Sequence, residues 1–273
     1  MKKVNYLNNK DMLLEIHRSK NTYCSFVDEK YKEYDLILPS ISSIDQKSID
    51  EAKRNKAKLL SQALYEDAKN QDKRSKMSEH EINFEDIDKT ELIFRIMTYD
   101  HVPDEPGRKK TPKTTADHKI KLNFPPFQHW KFNEHDELVC VAKSHWEGGL
   151  ENGHFNKDHG KITNKLALMW MKLCERYATR GNVRGYTYND EMKGQAILQL
   201  SQIGLKFDES KSNNPFAYYT AVVTNSFIKV INIEKRNQNI RDDILEMNDL
   251  DPSYTRQHAG EWEAMQRDYN NSR

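Results

Sequence analysis

The chain of 273 residues has no apolar run approaching the ~20 residues that a membrane-crossing helix needs, and its opening Met1-Lys2-Lys3-Val4 offers no apolar stretch to serve as a signal peptide. A soluble protein of the cytoplasm is the expectation. Cysteine is scarce: Cys24, Cys140 and Cys174 are odd in number and widely spaced, which excludes a disulfide framework and a zinc clip. Charge of one sign is also lacking. With a formal net charge of +1, bulk electrostatic adhesion to nucleic acid is excluded, so any such binding must be local. A catalytic triad, a phosphate-binding Gly-rich loop and a dinucleotide fingerprint are absent, so no enzyme activity is expected. No internal repeat is evident.

What is present is polar but foldable: hydrophobic residues make up 36% and charged residues 31%, enough for a core with solvated surfaces. Asn9 ahead of Met12, Leu13 and Ile16 reads as a short capped helix. Ser48-x-x-Glu51 has capping-box spacing and leads into Ala52, Lys56, Leu59, Leu60, Ala63 and Leu64, a second helix. Residues 92–99, Leu-Ile-Phe-Arg-Ile-Met-Thr-Tyr, read as a strand. A Pro-, Gly- and Lys/Arg-containing stretch at 102–118 reads as a basic loop. Trp130-Lys131-Phe132 and Leu138 to Val141, around Asn-Glu-His-Asp, form a hairpin pattern. From about Lys161 the periodicity becomes helical, with Leu166, Met169, Trp170, Leu173, Cys174 and Tyr177 on one face.

The final third carries the functional pattern. Beyond Asn189 or Asp190 as cap, Met192, Ala196, Leu200, Ile203 and Phe207 recur at helical steps as a buried stripe. Glu191, Gln195, Gln199, Gln202 and Lys206 form another stripe, mostly uncharged amide and suited to hydrogen bonding with a partner or with water. Pro215 opens a long helix to about Arg236, with Val223, Phe227, Val230 and Ile231 as its apolar face. Opposite stand Asn225, Lys229, Asn232 and Arg236, donors to phosphates and base edges with no acidic residue on their ridge. Phe216, Tyr218 and Tyr219 at the helix start are aromatic surfaces on which an unstacked base could lie. An ordinary solvated helix face is the bland alternative.

Residues 199–210, Gln-Leu-Ser-Gln-Ile-Gly-Leu-Lys-Phe-Asp-Glu-Ser, followed by Asn-Pro-Phe-Ala-Tyr-Tyr-Thr-Ala and Phe-Ile-Lys-Val-Ile, resemble region 2 of bacterial sigma factors. The wording around Asp190-Glu191-Met192, Phe207-Asp208-Glu209, Asn214-Pro215, Ala217-Tyr218 and Lys235, with Tyr6-x-Asn8-Asn9-Lys10 near the start, is similar to the late-transcription sigma factors of T-even-like bacteriophages. The resemblance covers about 4–18 and 162–240. It implies a mainly α fold: a helical sigma region 2-like module in the C-terminal third, with a mixed, partly β insertion in the N-terminal part.

The implied division is an N-terminal helix at 1–18 belonging with the module, an insertion at 19–161 as in marine cyanophage relatives, the module at 162–240, and an acidic, charged tail at 241–273. Glu191, Gln195, Gln199, Gln202 and Lys206 would dock on the clamp helices of the host RNA polymerase's largest subunit. Phe207, Phe216, Tyr218, Tyr219, Asn225, Lys229, Asn232, Lys235 and Arg236 would hold the melted non-template strand of an A·T-rich −10-type promoter, with Phe207 and Tyr219 lining the pocket for a flipped adenine. The implied setting is the cytoplasm of the infected bacterial host, with a phage coactivator and a sliding clamp as further partners and no cofactor.

The chain departs from the family in two places. The main bacterial factors carry a tryptophan pair where Val222 and Val223 stand, and the tail around Trp262 and Met265 does not reproduce the clamp-binding cluster. With 37 residues after Arg236 in this sequence, no helix-turn-helix that reads an upstream element is expected. Two other readings compete. Seven of the ten histidines, those from His101 to His159, lie with Cys140 in the insertion, but without HExxH or CxxC spacing they read as scattered surface residues rather than a metal site. A polymerase-binding coactivator that does not read DNA is the second.

Overall fold

The computed structural model describes residues 7–71, 76–103 and 120–271. The basic loop expected at 102–118 lies, beyond residue 103, outside the described residues, as does Tyr6. In chain order the elements are α1 (Asn9–Asn21), β1 (Cys24–Phe26), β2 (Leu36–Leu38), α2 (Gln46–Gln71), β3 (Ile93–Met97), β4 (Phe127–Phe132), β5 (Leu138–Ser144), β6 (Trp146–Glu147), β7 (His154–Phe155), α3 (Asn164–Ala178), α4 (Asn189–Ile203), α5 (Pro215–Met247) and α6 (Tyr254–Asn271). No described helix is long and apolar enough to cross a membrane.

The expected fold class is corrected. The chain is 55% helical with a five-stranded mixed sheet and a two-stranded sheet; helices are spread along the chain and the sheet is central, so it is not a helical C-terminal module preceded by an insertion. Two compact units divide it, residues 1–169 with 201–218 and residues 170–200 with 219–273. The physical reason is long-range. The segment after α4 is tied to α1 by a buried ion pair, Lys20 Nζ to Glu209 Oε2 at 2.5 Å, and by Lys20 Nζ donating to the Phe207 carbonyl at 2.7 Å. Helical periodicity carries no record of such a partner.

In the first unit the strand order is β1-β5-β4-β3-β2, with β2 parallel to β3 and the other pairs antiparallel. Alternation along the strands gives the sheet two faces of different chemistry. One carries Phe94, Ile96 and Phe132 and packs on Ile49, Ala52 and Ala57 of α2. Burial of this apolar cluster is the main stabilising term there, at ~25 cal/mol per Å². α2 starts one turn earlier than the Ser48-x-x-Glu51 spacing suggests. Asp45 is the capping residue: its Oδ1 accepts from Ser48 N–H at 2.8 Å while Ser48 Oγ accepts from Asp45 N–H at 2.9 Å. The β4–β5 hairpin turns on Asn133, whose Oδ1 accepts from the N–H groups of His135 and Glu137, with Asp136 in the left-handed region at φ 63°. Asp tolerates that conformation better than most residues.

The opposite face carries Arg95 and His129 and forms a polar core. The Arg95 guanidinium, 1% exposed, lies 3.9 Å from the ring centroids of both Tyr34 and Phe127. Its Nε donates to His129 Nε2 at 3.0 Å, and Nη2 lies 3.2 Å from His17 Nδ1 of α1. Two aromatic faces and two neutral imidazoles thus replace a carboxylate partner, a cation–π arrangement that gains strength from desolvation. The scattered-surface reading of the insertion's histidines is corrected in part: His129 and His145 are buried and His101 is half-buried, whereas His135 and His154 are exposed; His17 of α1 is buried as well.

In the second unit, the stretch Trp170–Ala178 of α3 and the α5 residues from Tyr219 onward share a core. Trp170 meets Tyr219 edge-on at 5.5 Å, and Tyr177 meets Phe227 at 5.0 Å. α5 runs through the expected stop at Arg236 to Met247, because no Gly or Pro interrupts it. The expected tail is largely helical. α6 follows a turn in which buried Asp242 accepts from Ser253 N and Oγ at 2.9 and 2.7 Å, and Arg256 bridges Asp243 and Glu246 at 2.5 and 3.0 Å.

Candidate nucleic-acid and polymerase interface

α4 opens at Asn189. The Asn189 side chain turns back, its amide donating to the Ala178 and Val183 carbonyls at 3.2 and 3.3 Å and fixing the loop that feeds the helix. Met192, Ala196 and Leu200 are buried, as their spacing requires. On the remaining surface Glu191 and Gln202 are exposed and Gln195 and Gln199 half-buried. Lys206 is exposed too, but it lies past the end of α4 in a single turn of tighter helix at Gly204–Lys206, so the amide row stops at Gln202 within the α-helix.

α5 starts as its sequence dictates: Asn214 Oδ1 accepts from the Ala217 N–H at 3.1 Å, and Pro215, which has no N–H to satisfy, is the first helical residue. Val222, Val223, Phe227 and Val230 are buried and Ile231 partly so. Asn225, Lys229, Asn232, Lys235 and Arg236 are all exposed. None of the three cations on this face makes an ion pair with a described residue. The contrast with Arg256, which is held between two carboxylates, is physical: uncommitted charges remain available to phosphate, whereas a guanidinium clasped by two carboxylates largely does not.

The four aromatic candidates are placed differently. Phe216 is 37% exposed, and its backbone N–H donates to Asn9 Oδ1 at 3.1 Å. Tyr218 is half-buried, its hydroxyl donating to the Ile203 carbonyl at 2.9 Å and its ring 5.6 Å from that of Phe207. Phe207 is 3% and Tyr219 0% exposed, so neither presents a ring face to solvent. Phe216 is the aromatic of the four that a base could reach without rearrangement.

The polar core of the first unit went unnoticed in the sequence, although one signal was there: Arg95 inside the apolar run Ile93-Phe94-Arg95-Ile96. Burial and the neighbouring Arg95 charge hold His17 down to about 3 and His129 well below the usual imidazole range. Burial with the neighbouring His101 holds His145 to about 3, and burial lowers His101 itself to about 4. Arg95 Nη1, Glu209 Oε1 and His145 Nε2 have no hydrogen-bond partner. Among the described residues no three His, Cys, Asp or Glu side chains are grouped to hold a metal ion.

Compared with protein-family models, with curated proteins and with solved structures, the chain matches none.

Proposed function

We propose that the protein is a transcription initiation factor that acts on a multisubunit RNA polymerase. More particularly, it is a sigma factor of the late-transcription type of T-even-like phages, which in the cytoplasm of an infected bacterium binds host core enzyme and opens an A·T-rich −10-type promoter element. The observation that carries this reading is the face of α5: Asn225, Lys229, Asn232, Lys235 and Arg236 stand exposed, unpaired with acid, on a helix whose other face is packed. The wording of residues 199–221 supports it by resemblance alone.

In this mechanism the amide face of Glu191, Gln195, Gln199 and Gln202, with Lys206 at its end, docks on the clamp helices of the largest subunit. Side-chain amides both donate and accept, so they suit a polar partner surface. The α5 donors then fix the backbone of the displaced non-template strand, and Phe216 stacks on an unpaired base. Stacking worth ~1–3 kcal/mol per base offsets the cost of unstacking. Phe207, Tyr218 and Tyr219 join only if binding uncovers them.

That covered state favours a second reading, a polymerase-binding coactivator that leaves promoter reading to another protein. One experiment separates the two. Replacing Asn225, Lys229 and Arg236 together by Ala should abolish promoter opening, read by permanganate footprinting, while core polymerase binding persists. Unchanged opening would favour the coactivator.

A further inference from the structure

At the carboxyl ends of the parallel strands β2 and β3 the sheet opens into a crevice of about 600 Å³, within the ~300–1,000 Å³ range of small-molecule sites. Its chemistry is divided. Ile37, Leu38 and Met97 supply aliphatic surface, Pro125 and Pro126 supply saturated pyrrolidine faces, and Tyr99 supplies an aromatic ring. The polar lining comes from one short segment, Asp208, Ser210 and Lys211.

That segment is fixed from behind and from within. Lys20, 2% exposed, donates to the Phe207 carbonyl and to the Glu209 carboxylate, so the chain on either side of Asp208 is clamped to α1. Asp208 Oδ1 in turn accepts from Ser210 N–H and Oγ at 3.0 and 2.5 Å. Asp208 Oδ2 lies 3.4 Å from Lys211 Nζ, and the Lys211 side chain is 77% exposed. The crevice therefore combines ring-lined walls with a preset acceptor, Asp208, and an accessible cation, Lys211.

We propose that this crevice binds a nucleotide. The base lies against Tyr99 and the two prolines, an exocyclic amino group donates to the Asp208 carboxylate, and the phosphate meets the Lys211 ammonium. Each part answers to one feature of the lining: a π-face for the rings, a donor for the carboxylate and an anion for the lysine. A peptide fits less well, because β2, the edge strand beside the crevice, is three residues long and offers little backbone for strand addition. The site goes beyond the promoter-opening reading and uses none of its residues. The nucleotide could be free or belong to a single strand, the chemistry of the contact being the same.

The test is done on the full chain without polymerase or promoter, so its failure leaves the promoter reading untouched. Deoxyadenosine monophosphate, deoxyadenosine and a five-residue deoxyadenosine oligonucleotide are each titrated, with binding followed by calorimetry. Saturable one-site binding of the monophosphate or of the oligonucleotide is expected, and which of the two binds identifies the source. Lys211→Ala should weaken the phosphorylated ligand about tenfold or more, as loss of a charge-assisted contact does, and leave deoxyadenosine unchanged. Tyr99→Ala should weaken all three while Tyr99→Phe restores them, with circular dichroism checking that each variant is folded. No saturation by either phosphorylated ligand, or binding unaltered in both Tyr99→Ala and Lys211→Ala, would overturn the proposal.

Discussion

Lowering the pH from 7.5 to 5 protonates the histidines of the unfolded chain but not those of the polar core, and the first unit should lose much of its stability over that interval. His17 and His145 are held to about 3 and His101 to about 4, chiefly by burial, and His129 lies well below the usual range. A group whose pKa is depressed by folding contributes fully above its unfolded value, ~6.5, and that contribution is lost as pH falls towards the folded value. At pH 5 the unfolded imidazole is almost wholly charged and the folded one neutral, about 1.5 pH units of linkage or ~2 kcal/mol per histidine. His17, His101 and His145 together amount to ~6 kcal/mol, with His129 adding in the same sense, which is comparable with the 5–15 kcal/mol stability of a typical domain. Asp35, raised by burial, acts in the opposite sense and offsets a part. Urea titrations at pH 7.5, 6.5, 5.8 and 5, followed by far-ultraviolet circular dichroism, should show a midpoint falling steeply below pH 6.5. His101→Gln should make that fall shallower. A midpoint that stays level from pH 7.5 to 5 would refute the claim that these imidazoles are buried and neutral.

Glu209→Gln leaves the Lys20 ammonium buried without its counter-charge and should cost ~3–5 kcal/mol, whereas Lys20→Met combined with Glu209→Gln should recover most of the loss; equal urea midpoints for Glu209→Gln and the parent would contradict this. Replacing Lys229, Lys235 and Arg236 by Ala should flatten the log–log salt dependence of single-stranded DNA binding by ~2, at ~0.7 per phosphate contact. An unchanged slope in filter-binding assays would remove these cations from the interface.

The parts of the fold legible in the sequence are those set by local chemistry. The strand at 93–97 and the hairpin around Asn133 follow from β-branched and aromatic runs interrupted by turn residues. The packed and exposed faces of α5 follow from helical spacing, because that period is a property of the backbone itself. What stayed hidden depends on distant partners. β1 and β2 are three residues each, too short for a pattern, and are placed by pairing with β5 and β3. The charge on Arg95 marked its strand as unusual, yet nothing local says that Tyr34, Phe127, His17 and His129 receive it. Of the candidate interface, the exposed α5 donors were readable from spacing, whereas the covering of Phe207 and Tyr219 was not, since an aromatic at a helix start looks the same packed or open.

Run-off transcription from an A·T-rich late-type promoter, with host core polymerase in the presence and absence of this protein, tests the promoter-opening function most directly. A transcript that requires the protein and disappears with the Asn225, Lys229 and Arg236 alanine variant is the predicted result. No protein-dependent transcript, from an enzyme shown to bind the protein, would contradict it.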